Sequence, residues 1–442
     1  MKKLFGEMTL GLQHVLAMYA GAILVPLIVG GALGLTGEQL TYLVAIDILL
    51  CGVATLLQIM NGRFFGIGLP IVLGCTFTAV GPMIAIGSQY GISAIYGAII
   101  ASGIFVVLIS GVFGQLVRFF PPVVTGSVVT IIGITLIPVA INNMGGGQGA
   151  ADFGSATNIA LSFGTLLFIL IMYKFSTGFM KAISILLGLV AGTAAAAFMG
   201  LVNFSAVADA SYFHMIKPFY FGTPTFEWSA ILTMILVAMV SLVESTGVYF
   251  ALSDITEKKL SKKDLSKGYR SEGLAIVLGG IFNAFPYTAF SQNVGLIQMS
   301  GVKSRKIILI AALMLITLGF VPKIAAATTI IPTAVLGGAM IAMFGMVIAQ
   351  GIKMLGKVIT VSQENAMIVA CSVGMGLGVT VVPEIFAGLP ASLQILTSNG
   401  IVAGSLTAIA LNVLFNMIPS RKAVKKEASA AIVQEETATA VK

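Results

Sequence analysis

The sequence predicts an all-α, polytopic membrane protein. The first observation behind this is composition: of 442 residues, 58% are hydrophobic and 9% are charged, against about 25% charged in soluble domains. Such a chain cannot cover a water-facing surface. The second is continuity. The apolar stretches run unbroken for about 20 residues, the length a helix needs to cross the bilayer, without the weak alternation of a transmembrane β-barrel. The third is the placement of the positive charges, which fall in short connections and at the termini.

Fourteen apolar segments are expected, at roughly 10–30, 40–60, 65–87, 93–116, 121–141, 158–174, 181–202, 229–251, 271–286, 288–301, 305–325, 330–350, 363–383 and 395–418. With the N-terminus inside, only Lys217 and Lys323 fall outside; the other 24 − 2 = 22 basic residues fall on the inner side. That asymmetry predicts an even number of spans with both termini cytoplasmic. It also accounts for the net charge of +8 as a topology signal, so no nucleic-acid partner is inferred. Met1-Lys2-Lys3 precedes an apolar run too long for a signal-peptide core.

The expected organisation is a cytoplasmic N-terminus over 1–9, a first seven-span repeat over 10–202 and an extracytoplasmic loop over 203–227. A second seven-span repeat covers 228–418, followed by a disordered cytoplasmic tail over 419–442, where the chain turns polar and Ala/Glu/Lys-rich. Two spaced matches suggest the repeat. Pro121-Pro-Val-Val124-Thr-Gly126 opens segment five and Pro332-Thr-Ala-Val335-Leu-Gly337 opens segment twelve, an offset of 332 − 121 = 211. Segments three and ten each carry Pro, Phe and Gly in order (Pro70, Phe77, Gly81; Pro286, Phe290, Gly295), an offset of 286 − 70 = 216 for the prolines. A repeat with an odd number of spans enters the membrane inverted, the arrangement of many secondary transporters, which place the site at the midplane between the copies.

Segments three and ten are also rich in Pro, Gly and small polar residues and make poor helix interiors. Interrupted backbone is tolerated at membrane depth only where protein or a water-filled cavity satisfies it. These segments therefore mark the candidate cavity, the alternative being a pair of proline-kinked helices.

Polar side chains at depth supply the candidate chemistry. Glu244 stands alone in the apolar run from Ile231 to Gly247, and an intramembrane carboxylate costs several kcal/mol unless it is paired, solvated or protonated. Gln292 and Asn293 offer adjacent amides with donors and acceptors for a planar polar ligand, or else helix–helix hydrogen bonds. Thr76, Phe77 and Thr78 in segment three, with Ala289 and Phe290 in segment ten, border the interruptions as further candidate ligand contacts; Phe77 stacks on a ring or packs. Glu272 follows the basic stretch and reads either as a functional acid or as a solvated loop acid. Asp47 lies at depth in segment two, with a structural or gating role as open as ligand contact. His14, near the start of segment one, reads as a hydrogen-bonded packing residue more readily than as a proton relay. His214 and Glu384 fall in an outer loop and at a segment edge.

Other chemistry is not supported. Cys51, Cys75 and Cys371 form no CxxC or Cys/His cluster, so neither disulfide nor metal site is expected. No phosphate-binding loop, HExxH or Ser/His/Asp set appears, so neither ATP-driven transport nor an enzyme is expected. An ion gradient remains as the energy source, with an intramembrane carboxylate as proton carrier and no cofactor.

Gln292-Asn293-Val-Gly295-Leu-Ile-Gln-Met-Ser300-Gly301 resembles the signature of the nucleobase–ascorbate transporters, the nucleobase:cation symporter-2 family. Gly11-Leu-Gln13-His14-Val-Leu-Ala-Met-Tyr-Ala-Gly21, Val243-Glu244-Ser-Thr-Gly247 and Arg270-Ser-Glu272-Gly273 are also similar to it. The resemblance covers nearly the whole chain and is strongest to the bacterial xanthine permeases. It implies fourteen spans in a seven-plus-seven inverted repeat, core and gate domains, a short strand in each of segments three and ten, a homodimer and a bacterial cytoplasmic-membrane location. It further implies that Glu244 and Gln292 bind the nucleobase, that Asn293 supports affinity and specificity, and that Glu272, His14 and Asp47 couple protons or shape the site. Three positions depart from the family pattern: Ser300 replaces Thr, Glu272 replaces Asp, and Val248 stands where some relatives carry a second acid. Thr76 occupies a position that is Asn in some xanthine-selective relatives and Thr in urate transporters.

The expected function is proton-coupled import of xanthine, with urate as the alternative and a uracil transporter or an anion exchanger of related fold further behind. Xanthine offers ring N–H donors to Glu244 and carbonyls to Gln292 and to backbone amides freed in segments three and ten. No Lys or Arg lies at mid-depth to favour an anion.

Overall fold

A computed structural model describes residues 2–113, 119–213, 215–356, 358–390, 394 and 397–418. Arg118, His214, Lys357 and the tail over 419–442 lie outside the described residues.

The elements in chain order are α1 (Lys2–Ala32), α2 (Gly37–Ile59), β1 (Leu73–Cys75), α3 (Val80–Tyr90), α4 (Ile92–Ile109), α5 (Pro122–Met144), α6 (Ala156–Phe175) and α7 (Ser184–Phe198). The second half contributes α8 (Trp228–Thr256), α9 (Lys262–Phe282), β2 (Tyr287–Ala289), α10 (Ser291–Ser300), α11 (Arg305–Gly319), α12 (Pro322–Thr329), α13 (Thr333–Leu355), α14 (Gln363–Val381) and α15 (Gly400–Asn412), the last prolonged by a π-helical turn over Val413–Met417. Among the described residues, nine helices are long and apolar enough to cross a membrane, and α11 with α12, bent by 79°, makes a tenth. The remaining apolar segments are not single long helices. Segments three and ten each split into a three-residue strand and a half-helix, and segment seven is the shorter α7 behind a one-turn helix at Gly178–Ala182. Helix breakers and small residues fall where these splits occur.

Segment nine needs a correction. Its helix starts at Lys262, not near 271, behind a capping box of Ser261 and Asp264. The first turns therefore carry Lys262, Lys263, Lys267 and Arg270. A basic stretch reads as a loop by hydropathy, yet the cap satisfies the helix's first amides and fixes its start.

Packing sorts the helices into two bundles. α1–α4, the strand pair and α8–α12 form one; α5–α7 and α13–α15 form the other. Each half of the chain thus gives its leading elements to the first bundle and its trailing helices to the second. The seam between them is thin. One contact across it is Phe77, whose ring meets Phe344 of α13 edge-on, with centroids 5.8 Å apart. Large apolar side chains such as Leu108, Leu167, Phe175 and Phe198 are exposed on the outside, the surface a bilayer covers. Several basic side chains gather at one end of the first bundle. Lys306 pairs with Glu7 at 2.7 Å, Lys303 with Glu257 at 3.1 Å, and Arg305 donates to the Ile59 carbonyl at 3.3 Å.

Candidate functional site

Each interrupted segment holds the short strand that the family resemblance implies, and packing joins the two. β1 and β2 pair antiparallel, with Leu73 opposite Ala289, Gly74 opposite Thr288 and Cys75 opposite Tyr287. α3 and α10 therefore leave the pair from opposite ends. The Phe290 ring lies over Gly74 and against Gly21, positions where a Cβ would collide with it; Phe290 is thus a buried packing group. The chain can cross here only because both glycines lack a side chain.

α8 fastens the pair. Ser241 and Ser245 stand one turn apart on one of its faces. Ser241 Oγ lies 3.4 Å from Thr76 Oγ1, and its carbonyl accepts from Thr288 Oγ1 at 3.4 Å. Ser245 Oγ lies 3.0 Å from Thr288 Oγ1 and accepts from the Ala289 N–H at 3.1 Å. One helix thereby grips both interrupted segments, and Glu244 sits between the two serines in sequence. Glu244 is half-buried and makes no hydrogen bond or ion pair with the described residues. α8 packs against β2, α10 and the 3₁₀ turn Phe77–Ala79.

The expectation of free backbone amides at the interruptions is largely overturned. The Thr76 N–H donates to Pro286 O at 2.9 Å, Thr78 N–H to Thr76 Oγ1 at 3.3 Å, and Phe290 N–H to Val72 O at 3.0 Å. Buried amides must be paired, and here protein pairs them, so Thr76, Thr78, Ala289 and Phe290 present their backbone donors inward. The exception is the start of α10, which has no side-chain cap and keeps the open first-turn amides of a helix N-terminus. Gln292 sits there, exposed, while its neighbour Asn293 is buried. Asn293 Nδ2 lies 3.1 Å from His14 Nδ1 and donates to His14 O at 3.0 Å. The pair ties α10 to α1, as expected of a packing histidine, and separates the roles of the two adjacent amides.

Glu272 is not a loop acid. It is fully buried at the α8–α9 contact, accepting a short hydrogen bond from the Tyr249 hydroxyl, which in turn accepts one from Gln58 of α2. Its second oxygen has no hydrogen-bond partner among the described residues. Gln58 and Tyr249 are participants that sequence reasoning missed; the available signal was a glutamine near the end of the apolar α2 and a tyrosine five residues after Glu244. Asp47 is equally sealed. Its Oδ1 accepts from Phe285 N–H at 3.2 Å and from Tyr287 OH at 3.4 Å, pinning the approach to β2 from α2, while its buried Oδ2 has no partner among the described residues. Cys51 and Cys75 are buried and free, with the Cys75 thiol donating to Ala22 O at 3.1 Å. Among the described residues no group of His, Cys, Asp and Glu could hold a metal ion.

A family model described as the permease family matches residues 5–385. The chain belongs to this family, the nucleobase–ascorbate transporters. It is 65% identical to a xanthine permease of Bacillus subtilis over 98% of this chain and 99% of that one. It is 67% identical to a nucleobase transporter, PlUacP, of Paenibacillus larvae over 93% and 94%, and 65% identical to the uric acid permease PucK of Bacillus subtilis over 92% and 95%. Its fold is that of the transmembrane domain of the cyanobacterial bicarbonate transporter BicA, with TM-score 0.63 at 17% identity over 86% of this chain and 97% of that one. The protein is a multi-pass membrane transporter and not an enzyme.

Proposed function

We propose that this permease imports a purine nucleobase, xanthine first and urate second, in symport with protons across a bacterial cytoplasmic membrane. The observation that carries the reading is Glu244: a carboxylate with no hydrogen-bond or ion-pair partner among the described residues, on the helix whose Ser241 and Ser245 bond both interrupted segments and which packs against α10. A purine with ring N–H groups gives that carboxylate its donors, and its carbonyls meet Gln292 and the open α10 amides. A base that leaves one of these groups unpaired forfeits about 1–3 kcal/mol, which is the basis of selection. The names of the similar permeases, which cover both xanthine and uric acid, support the purine class and leave these two as the contenders.

The proton carrier is Glu244 or Glu272, the acids of α8 and α9, with the proton gradient as the energy source and no cofactor. Both termini are cytoplasmic, the fourteen segments form two inverted halves, and the working unit is a homodimer. The gathering of basic side chains at one end of the first bundle supports the orientation.

The test is uptake of labelled xanthine in cells lacking their own purine permeases, with unlabelled urate, guanine and uracil as competitors. Uptake is expected to rise in an acidic medium and to collapse with a protonophore. Accumulation indifferent to both would overturn the coupling, and absence of purine competition would overturn the substrate class.

A further inference from the structure

The second bundle holds a cavity of its own, about 280 Å³, where α5 begins and α15 stops. Pro122 and Val123 of α5 line it, with Val358 from the connection between α13 and α14, and Asn365, Asn412 and Asn416. No acid is among the described residues that line it. The three asparagines form a row. Asn365 Nδ2 donates to the Val358 carbonyl at 3.1 Å, which turns its Oδ1 toward Asn416. Asn416 Nδ2 donates to Asn365 Oδ1 at 3.1 Å and to Asn412 Oδ1 at 3.0 Å, using both its hydrogens. The backbone carbonyl thus orients the whole row, since flipping any one amide would set donor against donor or acceptor against acceptor. The row ends on Asn412 Nδ2, which is buried and has no hydrogen-bond partner among the described residues.

A helix end faces the same cavity. α5 runs for 23 residues and starts at Pro121-Pro122 without a side-chain cap. Val123 is buried, and its amide is one of the first-turn N–H groups that have no acceptor within the helix. The positive end of the α5 dipole therefore opens on the cavity. After Asn412 the chain coils as a π-helical turn over Val413–Met417, a form frequent at functional sites, and this turn carries the exposed Asn416. Both open groups, the Asn412 amide and the helix start, are donors, so the partner they lack is an acceptor. Water fills such a volume at about 30 Å³ a molecule, but it brings no charge to a helix N-terminus, where an anion is favoured.

We propose that this cavity is a second ligand site, for a phosphate group whose oxygens accept from Asn412 Nδ2 and from the start of α5. Its residues come from the bundle that does not carry Glu244, so it is separate from the purine site. In the proposed orientation α5 begins on the cytoplasmic side, and the phosphate group is that of a free intracellular anion or of a headgroup in the inner leaflet.

Purified full-length protein in a neutral maltoside detergent tests this. Its unfolding temperature is followed against inorganic phosphate, with chloride holding the ionic strength constant, and separately against short-chain phosphatidylglycerol. A saturable rise with phosphate, from ligand stabilisation of the folded state, supports a site for a free anion; a saturable rise with phosphatidylglycerol alone assigns it to a headgroup. Asn412→Asp keeps the oxygen that Asn416 needs, removes the donor and sets a carboxylate oxygen against the anion. It is expected to raise the half-saturating concentration about tenfold or more. No rise with either probe, or the same rise in Asn412→Asp, overturns the site and leaves the cavity to water. Glu244→Gln is expected to lose the response to xanthine and keep the response to phosphate, so failure of the purine reading and failure of this site are separate results. Should Asn412→Asp fail to reach the membrane, Asn416→Ala decides. Without Asn416 nothing holds the Asn412 amide toward the cavity, and half-saturation should rise several-fold; an unchanged value overturns the site.

Discussion

Glu244 on α8 and Glu272 on α9 are two membrane-embedded carboxylates in opposite surroundings. Glu244 is half-buried, with no hydrogen-bond or ion-pair partner among the described residues, on the helix that grips both interrupted segments. Glu272 is fully buried and held by Tyr249, which is itself held by Gln58. A carboxylate that the fold leaves unsatisfied is available to a ligand, whereas one locked into a buried chain holds helices together or passes a charge through it. The same residue type therefore yields different mutational signatures at the two positions: loss of binding without loss of stability at Glu244, and loss of both at Glu272.

The largest effect is expected from Glu244→Gln. Losing a hydrogen bond to a charged group costs about 1.5–3 kcal/mol, so xanthine binding should weaken by about tenfold to a hundredfold, and pH-driven uptake should fall below detection. Thermal stability of the purified protein should stay within a degree or two, because no intramolecular bond is removed, while the stabilisation by added xanthine should vanish. A variant that still gains stability from xanthine would erase the distinction drawn between the two acids. Next is Glu272→Ala, which strips the Tyr249 hydroxyl of its acceptor inside the bundle. The unpaired group costs about 1–3 kcal/mol, to be read as a lowered unfolding temperature without ligand, with Tyr249→Phe lowering it less. An unchanged melting temperature for both would show that the buried chain contributes no stability.

Much of this contrast was not legible in the sequence. The long spans were, because a run of about 20 apolar residues has one reading in a bilayer. The interruptions were legible as breaks, since Pro, Gly and small polar residues crowd both, but three-residue strands leave no periodicity of their own, and their pairing spans more than two hundred residues of chain. Glu244 stood out because its neighbours are uniformly apolar. Glu272 did not: the basic turns of α9 before it look like a loop, and only packing against α8 and α2 buries it. Tyr249 and Gln58, which meet across 191 positions, could be joined only by the fold. The free backbone amides expected at the breaks proved to be paired, because a buried N–H finds the nearest acceptor and here Pro286, Thr76 and Val72 supply it.

Asp47 extends the comparison to a third acid, fully buried like Glu272. Asp47→Leu removes the acceptor for Phe285 N–H and Tyr287 OH and is expected to destabilise the protein by about 1–3 kcal/mol. Asp47→Asn keeps an acceptor oxygen and should cost less than half as much. If Asp47→Asn instead removes xanthine binding at normal stability, this acid belongs with Glu244 and the division between ligand-facing and structural carboxylates fails.

The smallest effect is expected at Phe77, where the ligand reading and the packing reading of one ring can be separated. Its ring meets Phe344 edge-on across the seam, a contact worth about 0.5–1.5 kcal/mol beyond area burial. Phe344→Leu removes the partner without touching Phe77. If Phe77 acts through the seam, Phe77→Leu and Phe344→Leu should each change the uptake rate by a similar small factor, and the double variant should change it little further, since both remove one interaction. If Phe77 stacks on the purine instead, Phe77→Leu alone should raise the xanthine concentration for half-maximal uptake and Phe344→Leu should not, which would place a ring from segment three beside Glu244 on the ligand's side of the contrast.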